Sequence, residues 1–178
     1  PMLPTHTRIM TYNVRYPNSD DGENIWERRR RHVATTIRMQ LPDVVGLQEA
    51  FPSQLADLRE LLPSFSWLDA GRPGEAIAGE YVPIGYRPAR YTVEADGSFY
   101  LSETPDEPGP GWDASLPRLV RYARFRDRTT EKEHLHVNTH FDHRGATARA
   151  RSCAFVREQL GQLAPTAPFA FTGDFNCR

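Results

Sequence analysis

Residues 169–176 read FAFTGDFN, a short apolar run closed by an aspartate and an asparagine two positions apart. Alternate residues of an extended chain face the same way, so Asp174 and Asn176 can address one ligand. Gly173 beside them lets a neighbouring backbone approach closely. The same pattern recurs upstream. Arg8 to Val14 (RIMTYNV) carries Asn13 near its end, Asp43 to Leu47 (DVVGL) runs into Gln48 and Glu49, and His134 to Thr139 runs into His140. Each run is short, branched and apolar, as a strand requires. Each also ends in a polar residue at its carboxyl end, where sheet-based folds place ligand sites. Burying such groups without partners costs roughly 2–7 kcal/mol apiece, so several strand ends of this kind predict one shared polar pocket. Taken singly, each has a plainer reading. Glu49 reads as a loop or capping carboxylate, Asn13 as a turn cap before Pro17, and His140 as a satisfied structural histidine.

Outward from these runs, Tyr81 to Tyr86 and Leu119 to Phe125 read as further strands. In the latter, Leu119, Arg121, Ala123 and Phe125 alternate with Val120, Tyr122 and Arg124, the period of a strand with one covered face. Three stretches have helical spacing. Ile25 to Gln40 sets Trp26, Val33, Ile37 and Leu41 near one face before Pro42. A second opens on Pro52 and carries Leu55, Leu58, Leu61 and Leu62 until Pro63. Ala146 to Leu163 carries Ala150, Cys153, Val156, Leu160 and Leu163 as a stripe. The arginine run Arg28 to Arg31 fans around a helix axis and predicts a solvated face. Glu103 to Asp113, rich in proline and glycine, is a surface loop. The fold class is therefore mixed α/β.

Composition sets the outer bounds. A chain of 178 residues with 39% hydrophobic and 25% charged residues suits one globular domain, spanning residues 1–178. The net charge of -1 weighs against a dedicated nucleic-acid binder, which carries a basic face. No apolar run approaches the roughly eighteen residues of a membrane span, and Pro1 to Thr7 lacks a signal-peptide pattern. The location is then intracellular, with the cytoplasm favoured, unless a signal has been removed. Cys153 and Cys177 make neither a disulfide framework nor a zinc site, and Cys153 is expected to be a small buried hydrophobe.

The residue types at the strand ends serve phosphoryl transfer. A hard cation such as Mg²⁺ (or Mn²⁺) takes oxygen ligands, often only one or two from protein carboxylates, and the substrate phosphate supplies others. Glu49 and Asn13 are the candidate metal ligands. Asp174 can orient or deprotonate water, while Asn176 and His140 can hydrogen-bond phosphoryl oxygens as charge shifts. No phosphate-cradling glycine loop competes. A glycosidase using Glu49 and Asp174 as acid and base leaves Asn13, His140 and Asn176 without a task.

The ordered set Thr11-Tyr12-Asn13-Val14-Arg15, Gly46-Leu47-Gln48-Glu49, Asn138-Thr139-His140 and Thr172-Gly173-Asp174-Phe175-Asn176 resembles the endonuclease/exonuclease/phosphatase superfamily, whose members include deoxyribonuclease-I-like nucleases, abasic-site endonucleases, sphingomyelinases and inositol polyphosphate phosphatases. The resemblance runs from about residue 8 to the last residue. It implies a four-layer, deoxyribonuclease-I-like sandwich of two β-sheets flanked by helices. It also implies a divalent-metal-dependent hydrolase of phosphoester bonds, in which water attacks a metal-bound phosphate. Glu49 becomes the main metal ligand with Asn13 beside it, Asp174 aligns water, and Asn176 and His140 hold the phosphate. Glu80, in Gly79-Glu80-Tyr81, becomes the residue that orients His140, and Arg118 and Arg15 become substrate-binding cations. The substrate is a phosphorylated one, whether nucleic acid, lipid headgroup or sugar phosphate.

Two departures bear on this resemblance. Nucleases of the superfamily tend to place an aromatic residue two positions before the orienting glutamate, and here that residue is Ala78. The family's final Asp-His pair and its last strands have no counterpart before Arg178. The domain is thus expected to be truncated at its C-terminus, and a catalytically silent domain that binds phosphoesters or a partner is the alternative reading. The sequence does not specify the substrate or the oligomeric state. Gly71 to Gly79 and Glu103 to Asp113 are the expected specificity loops.

Overall fold

The computed structural model describes residues 6–69 and 81–177. Along the chain these form β1 (Ile9–Asn13), a 3₁₀ turn (Ser19–Asn24), α1 (Trp26–Gln40), β2 (Val44–Gln48), α2 (Pro52–Leu61), β3 (Ser66–Leu68) and β4 (Ile84–Tyr86). There follow β5 (Tyr91–Tyr100), β6 (Leu119–Asp127), β7 (Glu133–His140), α3 (Ala146–Leu163) and β8 (Phe169–Asp174). The strands make two four-stranded mixed sheets, ordered β1-β2-β4-β3 and β5-β6-β7-β8. β1 pairs parallel with β2, and β7 parallel with β8, while the remaining pairs are antiparallel.

The sheets pack face to face, with β1 against β8 and β2 against β7 and β8. β2 is buried at all five positions, and its alternation explains why. Val45 and Leu47 face α1 and α2, joining Val33, Ala34, Ile37 and Leu58 in an outer core. Val44 points the other way, meeting Ile84, Tyr91, Ala123 and Phe125 between the sheets. On the opposite outer face, Val120, Leu135 and Val137 pack under Val156 and Leu160 of α3. Each fully buried side chain of this size contributes about 1.5–3 kcal/mol, so both faces of the central strands hold the sandwich together. This is the four-layer architecture that the resemblance implies.

Several readings need correction. Leu41 is not on the buried face of α1. It is 60% exposed, in the left-handed region at φ 49°, where the helix stops before Pro42. Cys153 is exposed rather than buried. Helix α3 seats the row Ala148, Ser152, Val156 and Leu160 on the sheet, and Cys153 stands about 100° around the axis from that row. Ala150 is exposed for the same reason. Of the arginine run, Arg28 and Arg31 are solvated. Arg30 pairs with Asp57 at 2.9 Å, and Arg29 donates to the Val14 carbonyl at 3.0 Å.

The alternation read in β6 holds from Arg121 onward, with Arg121, Ala123 and Phe125 buried and Tyr122, Arg124 and Arg126 half-buried, while Val120 on the second face joins the core under α3. Two strands were illegible: β3 is only three residues long, and β5 contains the strand-poor run Glu94 to Gly97. Pairing with β6 makes β5 a strand, through a bulge between Val93 and Ala95 and ion pairs of Glu94 with Arg126 and Asp96 with Arg121.

A polar stripe runs between the sheets. On β7, His134 stacks against Tyr91 and Phe125, His136 meets Thr172 Oγ1 at 2.9 Å, and Asn138 reaches across to β2. Asn138 Oδ1 accepts from Gln48 Nε2 at 2.8 Å and from Thr172 Oγ1 at 3.0 Å, while its Nδ2 donates to the Leu47 carbonyl at 2.7 Å. Gly46 makes room for this junction, since a Cβ there would lie 2.4 Å from Thr172 Oγ1 and 2.5 Å from Asn138 Oδ1.

His136 is wholly enclosed, and burial, with help from neighbouring His134, lowers its pKa to about 3. The unfolded chain binds this proton near 6.5, the folded chain only near 3, so stability is lost as pH falls through that interval. Urea titrations between pH 7 and 4.5 should show stability falling, by up to about 1.4 kcal/mol per pH unit for one such histidine. His136→Gln should flatten the slope; an unchanged slope would show that His136 is not its source.

Candidate active site

The carboxyl ends of β1, β2, β7 and β8 meet at one edge of the sandwich and carry Asn13, Glu49, His140 and Asp174 into contact. The centre is the Asn13 carboxamide. Its Nδ2 donates to Glu49 Oε1 at 2.9 Å and to Asp174 Oδ2 at 3.0 Å, and its Oδ1 accepts from Arg15 N at 2.9 Å. Glu49 Oε2 accepts from Tyr16 N at 3.0 Å. Asp174 Oδ1 accepts from Asn176 N at 3.1 Å, and Oδ2 lies 3.7 Å from His140 Nε2. Asn176 Nδ2 donates to the Phe141 carbonyl at 2.8 Å and lies 2.9 Å from His140 Nε2. A carboxamide nitrogen only donates, so His140 Nε2 accepts, and a neutral ring then carries its proton on Nδ1.

Backbone geometry delivers these groups. Arg15, Glu49 and Asn176 all have positive φ, at 60°, 61° and 50°. Such conformations cost about 1–3 kcal/mol each and persist where surroundings over-determine them. The surroundings are visible at Arg15, whose carbonyl accepts from Gln54 Nε2 at 2.8 Å and lies 3.4 Å from Arg29 Nη2. At β8, a Cβ on Gly173 would lie 2.7 Å from the Thr139 carbonyl, so only glycine lets Asp174 come this close to β7.

Electrostatics follow the geometry. Burial raises the Asp174 pKa, but hydrogen bonds from Asn13 and Asn176 N, with His140 and Arg118 nearby, outweigh it and hold the carboxyl ionised. Burial, aided by Arg118, lowers the His140 pKa to about 4 against the opposing pull of Asp174, Glu49 and Asp142. Arg118, only 3% exposed, immediately precedes β6 within electrostatic reach of Glu49 and Asp174. Its Nε lies 3.5 Å from Asp142 Oδ1.

Of the residues singled out from sequence, Asn13, Glu49, His140, Asp174 and Asn176 thus form one contiguous cluster, with Arg118 beside it. Arg15 contributes its backbone to the cluster, but its guanidinium turns to Asp21 at 3.0 Å and covers the Tyr16 ring. Glu80 and the loop Gly71 to Gly79 lie outside the described residues. The loop Glu103 to Asp113 is pinned to α3, because Asp113 accepts from Thr147 N at 3.3 Å and Ala148 N at 2.5 Å. Sequence reasoning assigned no part to Gln48, Thr172 or Asp142. Gln48 and Thr172 take their roles from Asn138 on β7, whereas Asp142 combines the local amides of Arg144 and Gly145 with Ser115 and Arg118 from a distant part of the chain. Among the described residues, no group of three or more His, Cys, Asp or Glu side chains has the arrangement of a metal centre. No helix among them is long and apolar enough to cross a membrane.

Two mixed sheets packed face to face, flanked by helices and bearing this cluster at their strand ends, define a deoxyribonuclease-I-like α/β sandwich. The chain belongs to the Endonuclease/Exonuclease/phosphatase family, whose profile matches residues 10–178. Its fold is similar to that of a mannosyl-6-phosphatase from Bacteroides thetaiotaomicron, with a TM-score of 0.91 and 36% identity over 96% of this chain and 66% of that one. A family protein from Bacteroides vulgatus gives 0.91 and 38% over 96% and 66%. Danio rerio TDP2, solved with a single-stranded DNA product, shares the fold at 0.77 with 19% identity over 97% of this chain and 61% of that one. The chain therefore spans just under two thirds of the length of the first two relatives. The activities in the family's name, endonuclease, exonuclease and phosphatase, all break phosphoester bonds.

Proposed function

We propose that the protein is a divalent-metal-dependent phosphoester hydrolase, and that its substrate is a phosphomonoester on a small sugar-like alcohol. The observation that carries the first part is the convergence of Glu49 and Asp174 on one neutral carboxamide. Two carboxylates held this close repel each other unless a cation intervenes. The donor set is hard oxygen, which suits Mg²⁺ or Mn²⁺, and such ions need few protein ligands because water and phosphate complete their shell. Glu49 would hold the cation, and Asn13 would join it by presenting Oδ1, which here accepts from Arg15 N. When bound, the cation neutralises phosphate charge and stabilises the departing oxygen.

The chain's own residues supply the groups that activate water and hold the phosphate. Asp174, kept ionised, accepts a proton from the attacking water or orients it towards phosphorus. Arg118 offers its guanidinium to the non-bridging oxygens as negative charge builds on them, while Asn176, whose two carboxamide hydrogens go to the Phe141 carbonyl and His140 Nε2, holds the His140 ring in place. His140, enclosed between Asp174 and Asn176, closes the same face of the phosphate. The substrate reading draws on the mannosyl-6-phosphatase relative at 36% identity. It also draws on the balance of 22 basic and 23 acidic residues, a net charge of -1, which weighs against a dedicated nucleic-acid binder. Nothing observed favours a silent binding domain.

The test is a substrate panel on the protein expressed at its full natural length, comparing hexose 6-phosphates, a dinucleotide and bis(p-nitrophenyl) phosphate. Monoester turnover with Mg²⁺ or Mn²⁺, abolished by EDTA and restored by metal, is the expected result. Turnover indifferent to EDTA would overturn the metal-dependent reading, and a preference for the diesters would overturn the substrate assignment.

A further inference from the structure

Asp142 takes no part in the chemistry above, yet it is only 1% exposed. Its Oδ2 accepts from Arg144 N at 3.0 Å and Gly145 N at 2.7 Å. Its Oδ1 accepts from Ser115 Oγ at 2.9 Å and lies 3.5 Å from Arg118 Nε. Those donors hold the carboxyl well below the usual carboxylate range despite burial, so it stays charged. Capping α3 does not explain it, because Asp113 already takes the amides of Thr147 and Ala148.

The chain of contacts continues outward. Arg118 Nη2 lies 3.2 Å from His143 Nδ1. A guanidinium has donors and no acceptor, so Nδ1 must accept, and the neutral His143 ring then carries its proton on Nε2. His143 is exposed and lines the groove that also holds Asn13, Asp174 and Asn176. Donors held in place before the anion arrives need no reorganisation when it binds.

We propose that Asp142 is a positioning residue: it fixes the Arg118 guanidinium at the phosphate site and, through Arg118, holds His143 as an Nε2–H donor on the groove wall. The inference rests on the phosphate-site reading given above. A merely structural Asp142 would stabilise the fold without coupling to Arg118, and a double-mutant cycle separates the two. Affinity for inorganic phosphate in the presence of Mg²⁺ should fall roughly tenfold in Asp142→Asn and in Arg118→Ala. The double variant should bind no more weakly than Arg118→Ala alone. Independent, multiplying losses, or Asp142→Asn binding within twofold of wild type, would overturn the positioning role.

A second measurement uses the wild type and does not depend on a variant folding. Nitrogen relaxation should find Arg118 Nε–H as rigid as the strand amides, and His143 Nδ1 should resonate as an unprotonated acceptor. A mobile Arg118 or an Nδ1–H tautomer would overturn the proposal. The parent reading fails separately, if Glu49→Gln retains turnover. Absence of any phosphate binding by the wild type would overturn both.

Discussion

Glu49→Gln is expected to lower phosphoester turnover by on the order of 10³-fold while leaving the fold intact. The substitution changes almost no volume, so β2 and its neighbours have no cavity to fill. The loss of charge is what matters. Glu49 offers two acceptor oxygens, one to Asn13 Nδ2 and one to Tyr16 N. Glutamine keeps one acceptor and sets a donor against the other partner. It also removes half of the negative charge gathered around Asn13, and with it the main attraction for a hard cation. A second readout follows by mass action. A ligand that binds only the native state raises the melting temperature with concentration, so Mg²⁺ should stabilise the wild type and leave Glu49→Gln unmoved. Turnover within tenfold of wild type at saturating Mg²⁺, or an equal thermal shift in both proteins, would remove Glu49 from the metal site.

The largest effect on stability is expected at Asn138. Its carboxamide has no exposure and joins the two sheets by accepting from Gln48 and Thr172 and donating to the Leu47 carbonyl. Asn138→Ala removes the shared partner of several buried groups at once. Each orphaned donor or acceptor costs about 1–3 kcal/mol, and relaxation recovers part of this, so a total near 4 kcal/mol is expected. At about 2–4 °C per kcal/mol for a chain of this size, the melting temperature should drop by roughly 10 °C. Gly46→Ala approaches the same junction from the other side, forcing a methyl to within 2.4 Å of Thr172 Oγ1. Urea unfolding of both variants checks this, and a loss below about 1 kcal/mol in Asn138→Ala would mean that the junction adds little.

Much of the fold is legible in the sequence itself. The helices Trp26–Gln40 and Ala146–Leu163 and the strands around Asn13, Gln48, His140 and Asp174 fall where periodicity puts them, because helix and strand periods are local properties of neighbouring residues. The misses share a cause. Tyr91–Tyr100 is one continuous strand because β6 supplies cross-strand partners for Glu94 and Asp96, and the strand-poor run Glu94 to Gly97 breaks the signal of its β-branched and aromatic ends. Cys153 misled because α3 has small or apolar residues on several faces, and only docking on the sheet decided which face is buried.

Residue types at strand ends are written in the chain order, and they were enough to single out Asn13, Glu49, His140, Asp174 and Asn176. Their meeting is a different matter. Asn13 and Asp174 are 161 positions apart and touch at 3.0 Å only because one sheet lies across the other. The same packing turned Arg15 towards Asp21, made Asn138 the link between sheets, and brought buried Asp142 to Arg118. Periodicity can say which way a side chain faces along its own strand. Which distant group it meets depends on how the sheets pack, and that is settled by the whole fold.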